Sequence, residues 1–246
     1  MNPKLQLALW VAGSFAVGLA AVAAVYRFGG ARLRRALVES ELGSVFVEVV
    51  RFSYYIGLPF GALITGALSV DLLGLGAIAV EDASTLAGFT LRDWMRGSIA
   101  AGLATGFVLV VLWLARRSAD LPPALFDARP SALLIVREAA YAEAHWAFYR
   151  APFVLLFQDA YWGATAGFAL VAVEWVLARR LRHTPPHANR PHALAATCCM
   201  LTSGLLYVTA RNLWLMIVAH AAIRRVGERL FTQTAPPAAP YRRAPN

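Results

Sequence analysis

Seven apolar runs order this chain: Leu5–Tyr26, Ser44–Val70, Gly97–Leu114, Leu133–Gln158, Trp162–Leu177, Leu194–Thr209 and Leu213–Ile223. Several reach roughly 17 to 25 residues, the length a helix needs to cross about 30 Å of hydrocarbon. The pattern predicts an all-α fold, a polytopic transmembrane helix bundle of about seven spans. The last run continues as an amphipathic basic helix. The first is too long, and too poor in small-residue cleavage signals, for a signal peptide, so it is expected to be a retained helix.

Between the runs the chain changes character. Residues 71–96 are mixed, and Leu86, Phe89, Leu91 and Trp94 alternate with Thr, Arg and Asp. That alternation suits a short helix lying in the membrane interface ahead of the third span. The connector "RRLRHTPPHANRPH" carries His183, His187 and His192, but its prolines and its lack of Cys or carboxylate partners predict a solvated loop with no metal. The end, "TQTAPPAAPYRRAPN", lacks periodicity and reads as an extended tail. The resulting division is 1–42 for the first helix and a basic loop, 43–230 for the helical core, and 231–246 for the tail.

Composition agrees with the runs: of 246 residues 59% are hydrophobic and 15% charged, and the mean hydropathy is +0.56. These values set soluble domains aside. The net charge of +9 has a plain cause in the distribution of Lys and Arg. Sixteen fall in residues 27–42, 116–130, 179–192 and the C-terminal part, against four (Lys4, Arg92, Arg96 and Arg211) on the opposite side. Basic residues close to helix ends stay cytoplasmic. The expected orientation in the inner or plasma membrane is therefore N-terminus outside and C-terminus cytoplasmic. The lipid bilayer is then the first partner, and no arginine cluster is interleaved with stacking aromatics as a nucleic-acid surface would be. Cys198 and Cys199 are adjacent and read as small packing residues.

Charges placed inside such runs cost about 2.5–3.5 kcal/mol each on insertion scales, so they face a bundle interior and find partners. The stretch "EAHWAFYRAPF" concentrates them. At 100° per residue Glu138, Tyr141, His145 and Tyr149 share one helical face, while Glu143, Trp146 and Arg150 form another stripe over 100° away. In the second run Ser44, Glu48, Arg51 and Tyr55 share a face, with Glu48 and Arg51 close enough to pair. Glu174 and Arg224 lie near a predicted interface, where long side chains snorkel. His220 reads as a hydrogen-bonded interhelical histidine.

"SGLLYVTARNLWLMIVAHAA", residues 203–222, resembles the last motif block of the CPBP family, the CAAX proteases and bacteriocin-processing enzymes, with Trp214 six residues ahead of His220. "GFTLRDWMRGSIAAGLATG" is similar to that family's lead into an early core helix, and the resemblance covers about residues 85–225. It implies a CPBP-like core and a glutamate-dependent intramembrane peptidase site to which Arg150 and His220 carry over. The family's paired glutamates would fall on His145 and Trp146, its second histidine on Ala172, and its asparagine on Arg224.

Three functions follow as expectations. The first is a non-catalytic binding or assembly subunit that sits among other membrane protein subunits, a pseudoenzyme on this core. The small residues of "GALITGALS" and "AGLATG" permit the close helix packing it would need. The second is an active peptidase with a shifted site, Glu143 or Glu138 as base and His145 and His220 as electrophilic partners. The third is a transporter or ion-conducting protein using Glu48, Arg51 and Glu143 as a relay. No cofactor is indicated by any motif.

Overall fold

The computed structural model describes residues 2–76, 85–118, 131–182 and 190–231. His183, His187 and the tail from residue 232 onward lie outside them, and the His192 side chain is likewise not described. The described chain is helical apart from one small hairpin. In order the elements are α1 (Pro3–Ala23), α2 (Gly30–Glu39), α3 (Glu41–Phe52), α4 (Leu58–Ile64) and α5 (Val70–Leu73), then strands β1 (Thr85–Leu86) and β2 (Phe89–Thr90). The larger helices α6 (Leu91–Ser118), α7 (Ala132–Phe157), α8 (Ala160–Leu181), α9 (Arg190–Thr209) and α10 (Leu213–Phe231) follow.

Among the described residues four helical stretches are long and apolar enough to cross a membrane: Pro3–Phe28, Glu41–Ile64, Leu91–Ser118 and Ala160–Leu181. Little of each is buried within the bundle, and Leu103, Phe107, Val110 and Val173 are among many large apolar side chains left exposed. A surface of that kind is solvated by lipid. This is a helical membrane protein.

The helix α7 is organised differently. It is packed by α1, α5, α8 and α10, and from Ala147 to Ala151 each side chain is fully buried. Ser131 caps its start by accepting from the Leu134 N–H at 3.2 Å. Pro152 removes one backbone donor inside it, and Gln158 in the left-handed region ends it. Asp159 then caps α8 through the Trp162 N–H at 2.9 Å. The turn is tight, so α7 and α8 run back against each other, and Gly167, with Gly163, allows a close approach. A Cβ at Gly167 would lie 2.5 Å from the Arg150 Cα.

Three sequence expectations change. Leu86 to Trp94 is not an interfacial helix: Leu86 pairs with Phe89 across a turn in which Ala87 and Gly88 both have positive φ, the geometry of a two-residue hairpin turn. Thr90 and Asp93 then form a capping box, Thr90 Oγ1 accepting from Asp93 N and Asp93 Oδ2 accepting from Thr90 N at 3.1 Å, so α6 begins directly at Leu91. Residues 30–39, expected as loop, form α2. The run 44–70 is interrupted, because the chain turns at Gly66, with φ of 71°, before α5.

Candidate functional site

The polar residues of α7 gather partners from five other helical segments and form three separate groups. The innermost holds Glu143, which is completely buried. His220 Nδ1 of α10 lies 2.9 Å from Glu143 Oε1, and Ser203 of α9 donates its hydroxyl to Oε2 at 2.5 Å. With the carboxylate as acceptor, Nδ1 is the ring nitrogen that carries hydrogen. Trp146, one turn along α7, stacks on the His220 ring with centroids 5.1 Å apart and planes 20° apart. One further turn on, Arg150 lies 3.8 Å over the Tyr207 ring and contacts the Met216 sulfur at 3.7 Å. A buried guanidinium on an aromatic face is a cation–π contact worth about 2 kcal/mol when desolvated.

The middle group lies on the opposite stripe of α7. His145 Nε2 stands 3.3 Å from Glu174 Oε2 of α8, and Tyr54 donates to Glu174 Oε1 at 2.8 Å. The Tyr54 and Tyr149 hydroxyls are 3.1 Å apart. Tyr54 reaches this site because residues Ser53–Gly57 form a π-helical turn, which advances the side chains relative to a regular α-helix. Tyr54 and Tyr55 therefore both pack on His145, with ring centroids at 5.0 and 5.2 Å. Gly18 of α1 leaves the room that Tyr54 and Glu174 occupy.

The outer group is a four-membered ionic ring. Arg51 bonds Glu138 at 2.5 Å and lies 3.6 Å from Glu48. Arg137 completes the ring, 3.1 Å from Glu48 and 3.2 Å from Glu138. Tyr141 donates to Glu48 at 2.9 Å. Two cations and two anions cancel, which is how charges are tolerated where water is scarce. Because all four are about a third exposed or less, and each has two partners, Glu138→Gln is expected to cost only about 1 kcal/mol in thermal unfolding in detergent.

The two-stripe reading of α7 thus matches the geometry. What the structure changes is membership. Glu143 and His220 meet, but His145 belongs with Glu174 instead, and Glu138 is held in the ionic ring, so the four candidate groups of a shifted peptidase site do not converge. Glu174 does not snorkel: its side chain is 13% exposed and is held by two partners, His145 and Tyr54. Arg224 is more exposed and lies 3.8 Å from Glu228. No hydrogen bond among the described residues joins the three groups to one another. Arg137, Ser203, Tyr54 and Tyr207 escaped the sequence reading. A signal existed for Arg137, since "RE" at 137–138 is the charge complement of Glu48 and Arg51. The hydroxyl partners left no such trace.

Cys198 and Cys199 are both buried free thiols. Among the described residues no group of three or more His, Cys, Asp or Glu is placed to hold a metal ion. Compared with protein-family models, with curated proteins and with solved structures, the chain matches none.

Proposed function

We propose that this protein is a non-catalytic assembly subunit of a membrane complex, built on a seven-span, CPBP-like core with its N-terminus outside and its C-terminus cytoplasmic. The observation that carries the reading is on α6. Gly102 and Gly106, a small-xxx-small pair, are exposed, and a Cβ built at either meets nothing within 4 Å. Among the described residues nothing uses this close-approach face. Such a stripe lets another helix backbone come near, and in hydrocarbon van der Waals fit and interhelical hydrogen bonds drive association. By contrast Gly97, on the same helix, is already filled by Leu215.

The state of Glu143 supports the non-catalytic half. Its side chain is fully enclosed and both oxygens are engaged, whereas a general base must reach the proton it removes. The test is extraction in mild detergent with a C-terminal tag, followed by native mass and subunit identification. A stoichiometric partner is expected. Changing Gly102 and Gly106 together to Leu should release that partner, while the melting temperature of the isolated chain stays within a few degrees. Recovery as a lone monomer at any extraction condition would overturn the reading.

A second reading, a glutamate-dependent peptidase, is favoured by the 2.9 Å contact between Glu143 and His220. Cleavage of prenylated or leader-bearing peptides by the purified chain, abolished by Glu143→Gln, would establish it.

A further inference from the structure

In the orientation proposed above, Arg92, Arg96 and Arg211 fall on the outward side, and they gather at one corner of the bundle. Arg92 and Arg96 lie one turn apart at the start of α6, and Arg211 lies in the turn between α9 and α10. These places adjoin. A Cβ at Gly97 would lie 3.4 Å from the Ala210 Cβ and 2.5 Å from the Leu215 Cδ1, so Arg96 and Arg211 are the chain neighbours of one packing contact. All three arginines are exposed, and among the described residues none of their guanidinium groups forms an ion pair or a hydrogen bond. The carboxylate beside them, Asp93, is turned to Thr90, accepting from its N–H at 3.1 Å and its hydroxyl at 2.7 Å. Orientation does not account for these charges, since the basic residues that set it lie on the cytoplasmic side. Nor does the turn need the Arg211 side chain, because its φ of 46° is one that glycine adopts without strain.

Leu91, Arg92, Met95, Arg96 and Ile99 line an open groove of about 590 Å³ along this end of α6. Leu91, Met95 and Ile99 are exposed, so the groove has an apolar floor and a cationic rim. Met95 and Ile99 continue, at spacings of three and four, into Gly102 and Gly106 on the same side of the helix. The groove is therefore the outer end of the close-approach face, and a helix packed on the glycines runs past the arginines. A second copy of this chain does not fit there. Two copies share one orientation in the membrane, and a two-fold contact sets the same patch against itself. Arg92 and Arg96 would then face their own counterparts, and like charges so placed oppose association.

We infer that the helix docking on α6 belongs to a different chain and carries two or more carboxylates, Asp or Glu, at its outer end, paired with Arg92, Arg96 and Arg211. Arginine takes a carboxylate through two parallel hydrogen bonds, and such pairs at an interface fix partner and register. The inference rests on the assembly reading and names the chemistry of its partner.

Extraction of the full tagged chain with its partner in mild detergent tests it. Reversing the corner, Arg92→Glu with Arg96→Glu and Arg211→Glu, is expected to lower the co-extracted partner about tenfold or more. The reversed chain by itself should melt within a few degrees of wild type, because the three side chains are exposed, and its orientation is undisturbed, since positive charge leaves only the outward side. Arg92→Lys with Arg96→Lys should keep most of the complex. Once subunit identification gives the partner's sequence, changing the carboxylates at the outer end of its helix to Lys should restore binding to the reversed chain and weaken binding to wild type. Full retention of the partner by the reversed chain, a partner helix with no carboxylate at that end, or a complex with a second copy each overturns the inference. So does loss of bound phospholipid from the reversed chain with the protein partner kept, which would make the corner a headgroup site. A complex that is released by changing Gly102 and Gly106 to Leu, yet survives the arginine reversal, overturns this inference alone. A wild-type chain recovered as a lone monomer overturns the assembly reading and this inference with it.

Discussion

Replacing Glu143 by alanine is expected to lower unfolding stability in detergent by about 3–5 kcal/mol, the scale seen when one member of a buried polar pair is removed. The reason is what remains. His220 and Ser203 both direct hydrogen-bonding atoms at the lost carboxylate, and both are at least nine-tenths buried, so neither finds a substitute. The effect should be strongly non-additive. A Glu143→Met, His220→Leu double variant removes both polar partners and keeps volume, and it should recover much of the loss, because an apolar replacement leaves little to desolvate. A double-mutant cycle on the melting transition measures this. If the double variant is as damaged as the sum of the single ones, the pair is not the coupled unit described here. The cycle also bears on function. An assembly subunit should keep its partner in the double variant, whereas a peptidase relying on the same carboxylate should lose turnover whatever its stability.

Gly167→Val should be at least as severe. The Cβ it adds would lie 2.5 Å from the Arg150 Cα and 2.9 Å from its backbone nitrogen. These are backbone atoms, so no rotamer change relieves the contact and α7 and α8 have to separate. Overpacking of that kind costs about 1–3 kcal/mol when neighbours can yield. Here the cost is expected to exceed 3 kcal/mol, since Arg150 is fixed over Tyr207 and the separation would reach the Glu143 group two turns away. Gly106→Val on α6 is the control. Its Cβ meets nothing, and the isolated chain should melt within a few degrees of wild type. Equal losses for the two variants would mean that helix propensity, rather than the α7 to α8 contact, sets the outcome.

The hairpin ahead of α6 shows why local pattern can mislead. Leu86, Phe89, Leu91 and Trp94 alternate with polar residues as in an interfacial segment, yet the first two face each other across a turn and the last two open a helix. Ala87 and Gly88 decide this by adopting positive φ, and a positive φ at alanine leaves no mark in composition. Trp94 then donates its indole N–H to the Leu86 carbonyl at 3.0 Å. Periodicity saw the apolar positions but not the turn that folds them together.

The sequence by itself determined the medium and the faces. Long apolar runs with few charges require lipid around them, and 100° per residue was enough to put His145 and Glu143 on different stripes of α7. These follow from chain chemistry and helix geometry, which are local. Only the tertiary structure decided who meets whom. His220 and Ser203 reach Glu143 from helices sixty to seventy-seven residues distant in sequence, and Glu174 reaches His145 because Gly167 and Gly163 let α8 close on α7. Helical spacing fixes the direction in which a side chain leaves its own axis. It carries no information on which other axis crosses there, and that crossing is set by the packing of small residues against backbone across the whole bundle.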